Sequence, residues 1–247
     1  MATLPCGEVW GIGRRYEKFL IEKGITTALD LKRASRRMIR GRMGVCGERT
    51  LQELNGIPCF GLEEFPEANQ TMCCARSFGK PITELAVLEE AVAEFASRVG
   101  EKLRAQRSVA KRLCVLVMHN ADPKRHSPFH AHAEMALHPP TADTPALIAA
   151  AHRLLRALHK PGTLYKKAGV MLTDVVPANQ VEPDLFEPAS NPKRERLMMV
   201  VDQLNKRHGR DTVRFAAVGT ARPWKHRTDQ KSPAYTTRWK ELPVVRA

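Results

Sequence analysis

Gly11-Ile12-Gly13 stands directly before Arg14-Arg15, and a helical pattern begins at once. A glycine on each side of one apolar residue suits a tight hairpin that needs an unusual φ or a bare backbone. Two arginines at a helix N-terminus oppose the dipole, which favours negative charge there. A phosphate from outside, seated on the exposed N–H groups, would remove the conflict. A plain turn between two helices with solvated arginines is the other reading. Four further groups have side chains capable of chemistry. His126, His130, His132 and His138 cluster, but no cysteine lies at ligand spacing and alternation puts His130 and His132 on one strand face, so no metal site is expected. Cys73-Cys74 reads as one buried and one partly exposed thiol. Glu63-Glu64 and Glu89-Glu90 read as surface charge in a linker and on a helix, and no catalytic residue is assigned. Trp224, Tyr235 and Trp239 interleave with Lys225, Arg227, Arg238 and Lys240, a pattern that suits either stacking on single-stranded bases or docking onto protein.

The 247 residues have a net charge of +14, with a pI near 9.9. A surplus of that size points to a polyanionic partner, nucleic acid before an anionic membrane surface. Residues 193–247 hold 14 Lys/Arg against 5 Asp/Glu and so contain most of the excess. No stretch approaches the roughly 20 apolar residues of a membrane span, and MATLPCGEVW lacks the build of a secretory signal. The six cysteines show no CxxC spacing and read as free thiols. A cytoplasmic location with no membrane partner is the expectation.

The elements that must position these groups fall into three segments. Residues 1–60 read as short helices: Arg14 to Lys23, one opened by a capping-box-like Thr27-Ala-Leu-Asp30, one capped by Ser35, and Gly47 to Leu54. Residues 61–70 form a linker. Residues 71–176 alternate strand, helix, strand, strand, helix, strand. Their strands are TMCCARSF, RLCVLVM, HAHAEMAL and AGVMLTDV. Glu84 to Gln106 is an amphipathic helix, and a second helix opens at an N-cap Thr144 followed by Pro145. That order is a ferredoxin-like, four-stranded antiparallel sheet backed by two helices. A Pro-rich linker, 177–192, leads into a helix near Lys193 to Arg207 and then an irregular basic tail through residue 247. The fold class is therefore α+β: a small helical domain, a βαββαβ domain, and a helical and irregular tail.

VWGIGRR, GITTALDL, ERTLQELNGIPC, CARSFGKPI, YKKAGVML, VVDQLNKRHGRDTVRFA and SPAYTTRWKELP run in order along nearly the whole chain. Together they resemble the Y-family translesion DNA polymerases, most closely the UmuC-type catalytic subunit of bacterial DNA polymerase V. The resemblance implies a helix-hairpin-helix thumb over 1–60, a little finger over 71–176 and a UmuC-type C-terminal region over 193–247. By that resemblance Gly11, Gly13, Arg14 and Arg15 hold a DNA phosphate, and Arg76, Ser77, Lys166 and Lys167 track the backbone of primer-template DNA. These contacts ignore sequence and respond to salt, because they address phosphates. Leu185 and Phe186, in EPDLF, match the anchor of a sliding-clamp peptide whose leading glutamine is lost, which implies weak binding at best. Tyr235, Thr236, Thr237, Arg238 and Trp239 match the region associated with UmuD′ and the RecA filament.

The family's magnesium-binding carboxylate motifs, which lie ahead of the thumb, have no counterpart in these residues. The resemblance therefore implies the DNA-binding portion of an error-prone SOS polymerase without palm or fingers. It implies no cofactor of its own, magnesium belonging to the complete polymerase, and no independent nucleotide incorporation. Two alternatives stand beside it: a split polymerase completed by a separate palm-fingers chain, and a regulatory module that binds UmuD′, RecA or the clamp.

Overall fold

The computed structural model describes residues 1–62, 67–119, 129–181, 192–225 and 231–244. The chain divides into two units, Met1–Glu67 and Ala68–Ala247.

The first unit is helical: α1 (Arg14–Glu22), α2 (Ala28–Arg33) and α3 (Arg36–Leu54). Its core gathers Cys6, Ile12, Leu20, Ile25, Leu31, Ile39, Met43 and Leu51. The capping box at α2 is fully formed. The Asp30 amide donates to Thr27 Oγ1 at 3.1 Å, and the Thr27 amide donates to Asp30 Oδ2 at 2.9 Å. The Thr27 hydroxyl and the backbone amides around the carboxylate hold Asp30 below the usual carboxylate range. The separate third and fourth helices expected from the sequence are the two halves of α3, broken at Gly44 with φ 67° and ψ −162°. Glu48, past the break, is buried and accepts from Arg36 Nε and from Arg40 Nη1 at 2.7 Å before it, which ties the halves together. Ser35 is the N-cap residue of α3, but its side chain makes no capping bond.

The second unit carries β1 (Met72–Ile82), α4 (Leu85–Ala105), β2 (Ser108–His119), β3 (Phe129–Thr141), α5 (Thr144–Leu158), β4 (Tyr165–Pro177) and α6 (Pro192–His208). The four strands form one antiparallel sheet in the order β1-β4-β2-β3, the α+β arrangement expected from the element order. Helices α4 and α5 cover one face. Leu88, Val92, Phe95, Val99 and Leu103 of α4 and Leu147, Ala151 and Leu155 of α5 pack on Leu113, Val115, Val117, Val170 and Leu172. At about 25 cal/mol per Å² removed from water, this burial is the main favourable contribution to the unit.

Three local features differ from the sequence reading. The strands extend beyond the apolar runs, because backbone pairing continues where one face is polar. Asp143, not Thr144, caps α5, accepting from the Ala146 amide at 3.1 Å. Thr144 is buried instead, and its hydroxyl accepts from Arg104 Nη1 at 2.9 Å.

The start of the C-terminal region is not a free arm. Helix α6 buries Met198 and is held to α4 by a two-bond fork between Arg104 and Asp202. Beyond it, Asp211 accepts from Arg98 Nη2 at 2.6 Å and from Arg222 Nη1 at 2.8 Å, while Arg222 also lies 3.3 Å from Glu94. Trp224 is 4% exposed and meets Phe95 edge-on, ring centres 5.5 Å apart. Of the aromatic-basic series read as a stacking or docking surface, Trp224 is thus a member of this unit's own core.

Candidate nucleic-acid interface

The hairpin before α1 is pinned from below. Ile12 is buried in the first unit's core, and its amide donates to the Val9 carbonyl at 3.0 Å. Gly11 has φ 90°, a conformation that L side chains rarely adopt, so glycine is required there. Gly13 is the N-cap of α1 with extended backbone, and its carbonyl accepts from Tyr16 and Glu17 at 2.9 and 3.0 Å. No side chain caps this end, so the Arg14 and Arg15 amides, ahead of those two bonds, are left for an outside acceptor. A Cβ at Gly13 would meet nothing within 4 Å. The glycine is therefore not demanded by packing, and the bare backbone leaves space at the helix end. Gly11, Gly13, Arg14, Arg15, Tyr16 and Arg42 line an open cleft here. Arg42, absent from the residues singled out in the sequence, comes from α3 and lies over the Phe19 ring with its Cζ 5.6 Å from the centre. The arrangement presents backbone donors, a helix dipole and three guanidinium side chains to one space, which suits a phosphate.

The sheet sorts its four candidates differently. Successive strand residues point to opposite faces. Ser77 pairs with Lys167, which pairs on its other side with Met118, opposite His130. Ser77, Lys167 and His130 therefore share one cross-strand row on the face turned away from α4 and α5. His132 stands in the next row, opposite Leu116, which pairs with Gly169 and so with Ala75. Three strand spacings separate β1 from β3, about 14 Å. Arg76 falls on the same side of β1 as Met72 and Cys74, exposed at the sheet edge, and so does not share the row of Ser77. Lys166 is exposed at a register irregularity between Tyr165 and Lys167. The period of two in the strand was the signal that separates Arg76 from Ser77. Gly169 has a packing reason: a Cβ there would lie 2.4 Å from the Ala75 Cβ.

The remaining candidates are distributed as follows. Leu185, Phe186, His126 and the Glu63-Glu64 pair lie outside the described residues. His130, His132 and His138 are exposed on β3. Among the described residues no group of three or more His, Cys, Asp or Glu side chains could hold a metal ion. Cys73 is exposed and Cys74 half-buried; burial pushes the Cys74, Cys6 and Cys114 thiols up, and all six cysteines are free. Glu89 accepts from Arg156 Nε at 2.7 Å. Tyr235 to Trp239 form a turn: the Thr237 and Arg238 amides donate to the Ala234 carbonyl, and Glu241 accepts from the Ala234 amide and from Arg238 Nη1. Those two donors hold Glu241 below the usual carboxylate range. Trp239 is 89% exposed. No described helix is long and apolar enough to cross a membrane.

Two family models match the chain: the impB/mucB/samB family C-terminal domain over residues 69–185, and a domain of unknown function (DUF4113) over residues 195–245. Protein ImpB of Salmonella typhimurium is 40% identical over 98% of this chain and 57% of its own length. Protein UmuC of Salmonella typhimurium is 37% identical, over 98% of this chain and 58% of its own length. DNA polymerase IV of Desulfatibacillum aliphaticivorans is 25% identical over 88% of this chain and 54% of its own length. The chain spans less than three-fifths of the length of these curated relatives. By these matches the chain belongs to the UmuC/ImpB/MucB/SamB family of Y-family polymerases and corresponds to its C-terminal portion.

Proposed function

We propose that this chain is the DNA-gripping portion of an error-prone translesion polymerase acting in SOS DNA repair. It binds primer-template DNA through phosphates and without sequence preference. The observation that supports this most is the uncapped end of α1. There Gly11 and Gly13 bare the backbone beside Arg14, Arg15 and Arg42, and no side chain caps the helix, the acid of its first turn, Glu17, included. Ser77 and Lys167, adjacent on the sheet face turned away from α4 and α5, supply a second set of phosphate contacts, with Lys166 and Arg76 at its margins. Nucleotide transfer in this family calls for clustered carboxylates around two magnesium ions. No grouping among the described residues fits that pair, so the chain is proposed to hold template and primer rather than to join nucleotides.

Fluorescence anisotropy of a labelled primer-template duplex, titrated with the chain across a salt series, tests the reading. Tight binding that weakens steeply as salt rises is the expected result; binding that is absent or indifferent to salt refutes it. Incorporation of nucleotide by the purified chain would overturn the non-catalytic part of the proposal. A regulatory role toward UmuD′, RecA or the sliding clamp is a second reading. It is favoured by Trp239, which stands almost fully exposed on an ordered turn.

A further inference from the structure

Helix α6 presents a second surface that the DNA grip does not use. Its inner side is fully engaged: Met198 is buried, Asp202 is forked by Arg104, and the Asn205 side chain clips both backbone groups of Val213 at 2.9 and 3.0 Å. The outer side carries Leu197, Val200 and Leu204, which are 56%, 50% and 38% exposed; Met199, 52% exposed, stands on a different side of the helix. The first three recur at helical spacing and form one stripe about 10 Å long. Four half-exposed large apolar residues on two turns are more than scattered surface hydrophobics explain. The inner face already fills the unit's own core contact, so the helix cannot rotate to bury the stripe without surrendering the Arg104–Asp202 fork.

The rim decides what covers it. Arg196 and Arg207 are exposed one turn from Val200 and Leu204, and neither acid of this helix, Glu195 or Asp202, stands at that spacing from the stripe. Asp202 is neutralised on the other side. A second copy of the chain would set basic rim against basic rim on molecules of net charge +14. DNA satisfies the rim but offers nothing to bury three aliphatic side chains. We propose that the outer face of α6 is a docking surface for another protein, one that presents an apolar ridge or groove edged with aspartate and glutamate. Leu197, Val200 and Leu204 supply the buried contact, and Arg196 and Arg207 set the register. This assigns an interaction to a helix that lies largely within the match to the domain of unknown function, and it does not depend on the DNA-binding reading.

Peptide-display selection against the full chain tests it, with anisotropy of the selected peptides as the readout. The expected peptides interleave apolar residues with Asp and Glu and bind Leu197→Glu/Val200→Glu at least roughly tenfold more weakly. Circular dichroism of that variant should match the parent, because both side chains point to solvent. Arg196→Glu/Arg207→Glu should switch the selected peptides from acidic to basic edges. The proposal is overturned if no selected peptide depends on the stripe, or if charge reversal leaves peptide preference unchanged. It is equally overturned if primer-template DNA or phosphatidylglycerol vesicles compete for the stripe, or if the double variant abolishes self-association of the parent.

Discussion

Arg104 on α4 and Asp202 on α6, 98 residues apart in sequence, meet as a parallel fork, Nε to Oδ2 and Nη2 to Oδ1, both at 2.7 Å. The same guanidinium donates through Nη1 to the Ala142 carbonyl at 2.6 Å and to Thr144 Oγ1 at 2.9 Å. One side chain, 14% exposed, thus joins the C-terminal helix, the start of α5 and α4. Asp202→Ala removes both acceptors and leaves a largely buried cation with only its two Nη1 bonds. The expected cost is about 2 kcal/mol, the range of a charge-assisted bond lost with its partner left behind. Denaturant unfolding measures it, and limited proteolysis should show residues beyond 192 cut sooner. A midpoint equal to the parent's would show that the fork contributes nothing.

Asp211 makes the same region sensitive to acid. Burial alone would raise its carboxyl, but the Arg222 hydrogen bond and the charges of Arg98, Arg222 and Arg214 outweigh it and hold the group below the ordinary aspartate value of 3.8. A depressed folded-state value means that the unfolded chain binds the proton more readily. The stabilisation is therefore present at neutral pH and disappears as pH falls from the ordinary aspartate range through the lowered value. Asp211→Asn should unfold at lower denaturant than the parent at pH 7, and the gap should close in the most acidic samples. A gap that stays constant down the series would refute this account.

Much of this architecture could be read along the chain because it is written in local periodicity. The stripes of α4 and α5 need only a period of 3.6, and the Thr27–Asp30 box needs only a spacing of three. The Gly11-Ile12-Gly13 hairpin was equally legible, since glycine next to a helix start has few other uses. Contacts across many residues were not. Trp224 among basic residues looks like a surface aromatic until Phe95, far away in the chain, is known to lie against it. Arg104, Asp202 and Asp211 are unremarkable charges one at a time. Arg42 joins the cleft only because α3 folds back on α1. The opposite faces of Arg76 and Ser77 were within reach of strand alternation alone.

Gly44 breaks α3 at φ 67° and ψ −162°, a region essentially reserved for glycine. A Cβ there would touch nothing within 4 Å, so space is not the obstacle. Gly44→Ala should cost about 1–3 kcal/mol through backbone strain alone. Because Arg36 and Arg40 reach Glu48 only across this bend, a helix that straightens instead would pull the pairs apart. Thermal unfolding should show the loss. An unchanged or higher melting temperature would mean that the break is not held against strain.

The two hairpin glycines separate fold from binding. Gly11 sits at φ 90°, so Gly11→Ala strains the turn and should lower stability and DNA affinity together. Gly13 has φ −90° and ψ 170°, which alanine adopts freely, and open space around its missing Cβ. Gly13→Ala should therefore leave the unfolding midpoint within about 0.5 kcal/mol of the parent. Its methyl group projects where a phosphate oxygen would approach the opening amides of α1, so duplex affinity should fall several-fold. Arg14→Ala and Lys167→Ala should each weaken binding and reduce the slope of log affinity against log salt by about 0.9, one phosphate contact apiece. Gly13→Ala, which removes no charge, should leave that slope unchanged. If Gly13→Ala binds as the parent does while Arg14→Ala flattens the slope, the arginine meets DNA but the bare backbone does not. If neither moves, phosphate binding at this hairpin is wrong.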